Sequence, residues 1–224
     1  MLDHERIEID GVFSLDGQDF DVTNNVWLVG DAEEVVVVDA PHDAGPIVEA
    51  VGDRIVVAIV CTHGHNDHVN AAVDLADAVD APIWLHPEDR MLWDAVHPDR
   101  EPDGDLEHGL VMDVAGGSLV VRHAPGHSPG SCVLVDGMGG GGQVFTGDTL
   151  FEGGAGATGR SFSSRPQILQ SIRHRLLDLP DDTVVHTGHG PSTTIGAERP
   201  GIEQAIADEL GAQDTAPGTT DRDG

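Results

Sequence analysis

Short apolar runs alternate with turns along the first two thirds of the chain. Residues 26–29 and 35–38 are predicted strands, and Gly30-Asp31 is a predicted tight turn between them. Residues 55–60 form an almost uninterrupted apolar, β-branched run, as expected of a strand covered on both faces. The same criteria predict further strands at 82–85, 132–135, 144–146 and 183–186, and a hairpin of residues 111–114 and 119–123.

Apolar residues at helical spacing lie between these strands. Residues 69–79 and 167–177 carry the clearest helical periods, and the second of them is the most amphipathic segment. Shorter helical segments are predicted at 47–51, 87–96 and 201–210. Strands in two groups with helices between them predict an α/β fold with two packed sheets and helices outside. We expect one domain over residues 1–210, followed by a polar, disordered tail at 211–224.

Composition restricts the partners and the cellular location. Forty acidic residues face only eleven basic ones, which gives a formal charge of −29, and such a surface repels phosphate backbones and anionic membranes. We therefore expect neither nucleic acid nor membrane as a partner, although bulk solubility or salt adaptation explains the charge equally well. The first twenty residues lack the pattern of a signal peptide, and Cys61 and Cys132 fit no paired motif, which favours a cytoplasmic protein with reduced thiols.

The most informative segment is HGHNDH at residues 63–68, directly after the predicted buried strand. A lone histidine is usually structural, but three imidazoles and a carboxylate in six residues offer donors suited to zinc or iron. His63 and His65 can point to the same side of the loop and share one ion. Asp67 and His68 then face a neighbouring position as the chain turns into the next helix. The motif predicts a metal centre.

Three more donors stand in matching contexts. His127, Asp148 and His189 each follow a strand-like run and a glycine, which permits the sharp turn that directs a side chain over the sheet edge. Together with the first four, they make seven donors, too many for one tetrahedral ion. We therefore expect two divalent ions, zinc first, with iron or manganese as alternatives.

The segments THGHNDH, PGHSPGS, TGDTLF and TGHGP together resemble the metallo-β-lactamase superfamily, and within it the glyoxalase II-like thioester hydrolases. The resemblance extends over residues 20–200 and implies a four-layer αβ/βα sandwich. It implies a first metal held by His63, His65 and His127, and a second held by Asp67, His68 and His189. Asp148 would bridge both ions, Asp39 would support the site from outside, and Asp67 and Asp148 are the expected catalytic carboxylates.

The implied reaction is attack of a metal-bound hydroxide on a thioester of a low-molecular-weight thiol. A thiolate needs little acid assistance to leave, because free thiols have a pKa of ~8.5. The absence of tyrosine argues against the lactonases that use one, and Asp148 stands where many true β-lactamases have cysteine. Residues 91–100 and 156–162 also resemble hydrolases of mycothiol-using bacteria. Predicted pocket walls are Trp93, Phe151, Arg160 and Phe162, with Arg160 either binding an anion or forming a structural ion pair.

Two other functions fit nearly the same residues. Persulfide dioxygenases of this superfamily bind one iron with the equivalents of His63, His127 and Asp148, although their arginine loop differs from residues 159–162 here. A metal-stabilised binding module without catalysis is the third hypothesis. The metal identity and oxygen consumption with a persulfide separate the first two.

Asp136 is predicted to lie in a polar turn outside the site.

Overall fold

The computed structural model describes residues 1–137 and 142–215, which form two six-stranded sheets. The strands of the first sheet, in spatial order, are β1 (Asp3–Leu15), β2 (Gln18–Gly30), β3 (Glu34–Val38), β4 (Ile55–Val60), β5 (Ile83–Leu85) and β6 (Gly104–Asp105). The first three strands are antiparallel, and the pairs from β3 to β6 are parallel. The sheet is therefore mixed, with the predicted strand at 55–60 in its interior.

The second sheet has the order β14-β13-β10-β9-β8-β7. Its strands along the chain are β7 (Val111–Val114), β8 (Gly117–His123), β9 (Cys132–Asp136), β10 (Gln143–Gly147), β13 (Val184–Thr187) and β14 (Thr193–Thr194). Strands β10 and β13 are parallel, and the other pairs are antiparallel. A separate small hairpin is formed by β11 (Leu150–Phe151) and β12 (Gly154–Ala155).

Helices cover the outer face of each sheet. They are α1 (Ala44–Val51), α2 (Asn66–Val69), α3 (Ala72–Val79), α4 (Arg90–Val96), α5 (Arg165–Arg175) and α6 (Ile195–Thr215). The predicted helix at 69–79 is divided into α2 and α3, and one 3₁₀ turn, Pro87–Asp89, precedes α4. Helix α6 continues to Thr215, five residues beyond the predicted domain end at 210. The rest of the predicted tail, 216–224, lies outside the described residues.

Three apolar layers show the predicted sandwich. Along β3, Val35 and Val37 pack toward α1 and α3, whereas Val36 and Val38 pack between the two sheets. Along β9, Leu134 packs between the sheets and Val133 packs against α5. This alternation follows from the two-residue period of a strand. The four-layer αβ/βα sandwich of two mixed sheets is therefore confirmed.

The structure extends the predicted framework at the N-terminus and corrects it at Asp136. The first predicted strand was 26–29, but β1 and the whole of β2 form a long hairpin that pairs Asp3 with Gly30 and Leu15 with Gln18. Asp136 was expected in a polar turn, but it is the buried end of β9. Its Oδ2 accepts hydrogen bonds from the Leu2 amide at 2.8 Å and from Gln143 at 2.9 Å. Asp136 therefore fixes the N-terminus to the second sheet.

Candidate metal centre

All seven predicted ligands lie just after strands at one edge of the sandwich, Asp67 and His68 in α2 and the other five on loops. His63, His65, Asp67 and His68 follow β4, and the other three follow β8, β10 and β13 in turn. Strands from both sheets end at this edge, so residues far apart in the chain meet there. The structure brings all seven of them together in three overlapping groups.

The first group is formed by His63, His65 and His127. His65 Nδ1 lies 3.0 Å from His63 Nε2 and 3.0 Å from His127 Nε2. All three side chains are buried. Two ligands held ~2.0–2.1 Å from one tetrahedral zinc ion stand about 3.3–3.4 Å apart, so this spacing suits a single ion.

The second group is formed by Asp67, His68 and His189. His68 Nε2 lies 3.2 Å from His189 Nε2, and Asp67 Oδ2 lies 3.3 Å from His189 Nε2. The distance between Asp67 Oδ2 and His68 Nε2 is 3.6 Å. These three atoms therefore have the same close spacing as the first group.

Asp148 lies between the two groups. Its Oδ1 is 3.4 Å from His68 Nε2, and its Oδ2 is 3.5 Å from both His127 Nε2 and His189 Nε2. One carboxylate thus faces members of both groups. Gly188 is required beside it, because a Cβ at that position would overlap Asp148 Oδ1.

Contacts on the outer side of four imidazoles fix the direction of their lone pairs. His127 Nδ1 donates to the carbonyl of Ala157 at 2.9 Å, and His189 Nδ1 donates to the carbonyl of Thr23 at 2.8 Å. His68 Nδ1 donates to Asp39 Oδ2 at 2.8 Å. Since Nδ1 carries the proton in each ring, the Nε2 lone pair faces inward.

Asp39 extends this arrangement to a fourth imidazole, that of His63. The Thr62 hydroxyl donates to Asp39 Oδ2 at 2.9 Å and therefore accepts from His63 Nδ1 at 3.1 Å. Asp39 itself has a left-handed φ of 64°, which is rare for a residue with a side chain and costs energy. The resemblance placed Asp39 outside the ligands as a supporting acid, and the structure has it there.

The side chains fit divalent cations. The inward nitrogens lie 3.0–3.2 Å from one another, close enough for one cation to contact neighbouring nitrogens at the same time. Asp67 Oδ1 and Asp148 Oδ1 are buried and have no hydrogen-bond partner among the described residues. Nitrogen and carboxylate donors in this combination are typical of zinc, iron and manganese sites.

The electrostatics of the ligand side chains support the same conclusion. Burial and the neighbouring imidazoles depress the pKa of His63 well below its usual value, and burial together with His127 lowers the pKa of His65 to about 3. Burial opposes charge on His68 as well, but Asp39, Asp148 and Asp67 raise its pKa well above the usual value. His63 and His65 are thus neutral and available as ligands, whereas the carboxylates around His68 attract positive charge.

Residues 20–189 match the family model described as the metallo-beta-lactamase superfamily. The chain belongs to the metallo-β-lactamase superfamily. An uncharacterized protein of Mycobacterium tuberculosis is 38% identical over 189 residues, which cover 74% of this chain and 84% of that protein. Hydroxyacylglutathione hydrolase GloC of Haemophilus influenzae is 31% identical, covering 78% of this chain and 89% of the relative.

A solved structure has a similar fold. The protein TTHA1623, determined in a di-iron-bound form, superimposes with a TM-score of 0.70 at 35% identity. The match covers 80% of this chain and 93% of that one. Among the described helices of this superfamily member, none is long and apolar enough to cross a membrane.

Asp89 was missed by the sequence analysis, although it fixes both loops of the first group. It is fully buried at the start of α4. Its Oδ2 accepts from the Gly64 amide at 2.8 Å and from the Ser128 hydroxyl at 2.6 Å, and its Oδ1 accepts from the Gly130 amide at 2.6 Å. An acid in a short helical segment carries no sequence signal for this role, because its partners lie on two distant loops.

The pocket over the ligands has a different wall from the one expected. Beside the ligands, its lining residues are Phe13, Val22, Thr23 and Ala157. The first three lie on the β1–β2 hairpin, which the sequence analysis did not recognise. Its alternating Ile7, Ile9, Phe13 and Leu15 were the available signal.

The four predicted wall residues lie elsewhere. The prediction that Trp93 forms a pocket wall was wrong. Trp93 is fully buried in the core beneath α4, and its indole donates to the carbonyl of Arg100 at 2.6 Å. The Phe151 ring lies behind His189, 6.3 Å between ring centres, and Phe162 is exposed on the surface. The Arg160 guanidinium stacks on Phe20, 4.3 Å from the ring centre, and donates to Gln18 at 3.2 Å. This contact joins the loop before α5 to the tip of the hairpin.

A further group of donors, His86, Glu88 and His123, has one ligand atom from each residue within 4.8 Å of the others. The two rings are stacked 3.9 Å apart at 13°, so their lone pairs run parallel. His86 Nδ1 accepts from the Glu88 amide at 3.2 Å, and His123 Nε2 donates to the Pro129 carbonyl at 2.8 Å. These contacts are structural.

Proposed function

We propose that this protein is a binuclear metallohydrolase that cleaves thioesters of a low-molecular-weight thiol, as glyoxalase II-like enzymes do. The observation that carries the proposal is the position of Asp148. Its two oxygens lie 3.4–3.5 Å from imidazole nitrogens of both ligand groups, so a single carboxylate can serve two ions. Seven donors with one shared acid suit paired-metal hydrolysis better than a single iron.

Two divalent ions held here, zinc first, would lower the pKa of a coordinated water from ~15.7 to about 7 and polarise an acyl oxygen. The chain supplies the proton acceptor. Asp67 lines the pocket, and its buried Oδ1 has no hydrogen-bond partner among the described residues. Burial tends to raise the pKa of Asp67, but His68 and His189 lower it overall, which keeps this carboxylate ionised at neutral pH.

The pocket wall favours a good leaving group. Its non-ligand residues are apolar apart from Thr23, and none of them is an acid of useful pKa. An amine would require a proton to depart, whereas a thiolate with a pKa of ~8.5 departs without one. The relative from Haemophilus influenzae, which is called a hydroxyacylglutathione hydrolase, supports the same substrate class.

The proposal is tested with protein loaded separately with zinc, iron and manganese. S-lactoyl and S-formyl thioesters of glutathione and of mycothiol are the substrates, and oxygen uptake with a persulfide is measured in parallel. We expect thioester turnover and no oxygen uptake. Oxygen uptake without thioester turnover would replace the proposal with a dioxygenase, and metal binding without either reaction would favour a binding module.

A further inference from the structure

Asn24 lies on β2 with its side chain against the second ligand group. The residue is fully buried. Its Nδ2 is 3.2 Å from Asp67 Oδ2, 3.3 Å from His68 Nε2 and 3.4 Å from His189 Nε2. One amide nitrogen therefore faces all three ligand atoms of this group at hydrogen-bond distance.

These four atoms form a nearly regular tetrahedron. The three ligand atoms are 3.2–3.6 Å from one another, and Asn24 Nδ2 is 3.2–3.4 Å from each of them. Four ligands held ~2.0–2.2 Å from one zinc ion stand about 3.3–3.6 Å apart. Asn24 Nδ2 thus occupies a position that a further ligand of the second ion, in addition to Asp148, would take.

A hydrogen-bond chain determines which end of the Asn24 amide points at the ligands. The backbone amide of His42 donates to Asn70 Oδ1, so Asn70 Nδ2 is the atom that faces His42 Nδ1, at 3.3 Å. His42 Nδ1 therefore accepts, and the ring proton lies on Nε2, which donates to Asn24 Oδ1 at 2.9 Å. Amide orientations are inferred from such networks, and this one begins at a backbone N–H that cannot be reversed.

The orientation matters because an amide NH₂ group donates hydrogen bonds and does not coordinate a cation. In the second group, Asn24 supplies protons to atoms that would otherwise repel one another. The first group differs, because the described contacts among its three imidazole nitrogens include no comparable donor. Before any ion binds, the two groups therefore differ in whether a hydrogen-bond donor is directed at their ligand atoms.

We propose that the chain Asn70–His42–Asn24 weakens the second metal subsite, so that the protein takes up its two ions in a fixed order. His63, His65 and His127 bind the first ion. The Asn24 amide must then move off Asp67, His68 and His189 before they can bind a second. The inference rests on the two-metal centre of the proposed function and adds the residues that determine the order in which the two ions bind.

The test is a calorimetric titration of metal-free protein with zinc in the presence of a competing chelator. Wild-type protein should show two steps, the second at least tenfold weaker. Asn24→Asp places a carboxylate oxygen where the NH₂ group stood, so the second dissociation constant should fall at least tenfold while the first is unchanged. His42→Ala removes the donor that holds Asn24 Oδ1, lets the amide turn, and should tighten the same step. Gln167→Glu, exposed on α5, adds equal charge elsewhere and should have no effect.

The outcomes separate the inference from the proposed function. Two steps of equal affinity in wild-type protein, or a second step unchanged in both variants, would overturn the role of Asn24 and leave the binuclear centre in place. Saturation at one ion in wild-type and variant proteins alike would overturn both. One ion in wild-type protein and two in Asn24→Asp would confirm that Asn24 opposes the second ion but would contradict the binuclear centre of the proposed function.

Discussion

Asp89 accepts a hydrogen bond from the backbone amide of Gly64 at 2.8 Å, inside the loop that carries His63 and His65. The same carboxylate accepts from the Gly130 amide at 2.6 Å, in the loop that carries His127. One buried acid therefore sets the distance between the two halves of the first ligand group. Ligand position at this site depends on a residue that binds no metal.

Asp89→Asn should destabilise the protein and weaken its first metal site. The new NH₂ group would face backbone and hydroxyl donors, and a buried unsatisfied group costs about 1–3 kcal/mol. Loss of such a supporting partner typically reduces metal affinity about 10–100-fold. Thermal denaturation and zinc titration measure both effects. Asp94→Asn, exposed on the same helix, is the control, and an unchanged Tm and affinity for Asp89→Asn would refute the role.

Phe13→Ala should raise KM for the thioester with a smaller effect on kcat. The Phe13 ring lines the pocket and lies 5.2 Å from the His65 ring, and its hydrocarbon side chain carries no group that could donate or accept a proton. Removing a contact made equally to substrate and transition state raises KM alone. Val12→Ala is the matched control, because Val12 is 41% exposed on the other face of β1. An equal effect of both variants would show that the hairpin does not form the substrate wall.

Stability should fall on acidification because of His186. Burial, helped by His4, lowers the pKa of this residue from 6.5 to about 4. As the pH falls below about 6.5, the unfolded chain takes up a proton that the folded protein refuses, so stability is lost between pH 6.5 and 4. His186→Gln should flatten the dependence of Tm on pH over this range, and exposed His174→Gln should not. Parallel Tm curves for wild type and His186→Gln would contradict the assignment.

The sequence was sufficient where local pattern and chemistry agreed. The predicted strand at 55–60 coincides with β4. A continuous β-branched run is most stable as an interior strand that is covered on both faces. The ligand loops could be recognised because each joins a strand-like run to a metal donor. These features were enough to predict the sandwich and the meeting of the seven ligands at one edge.

The features that were missed depend on contacts between distant segments. Trp93 looks like a pocket aromatic in sequence, and only the packing of α4 shows that it faces the core. Asn24 and Asp89 are ordinary polar residues until the fold places them beside the ligands. Asp136 could not be distinguished from a turn residue, because its partners Leu2 and Gln143 come from other strands or the chain terminus.

The account depends most directly on Asp148, and Asp148→Asn tests it. An amide here would remove the negative charge between the two ligand groups and turn an NH₂ group toward one of them. Bound metal, measured by elemental analysis, should fall from two ions per chain to one or fewer. Thioester turnover should fall by at least ~10²-fold, the scale for losing one electrostatic stabiliser. Asp113→Asn, exposed on β7, should keep both values. An Asp148→Asn protein with two bound ions and wild-type turnover would contradict the binuclear mechanism.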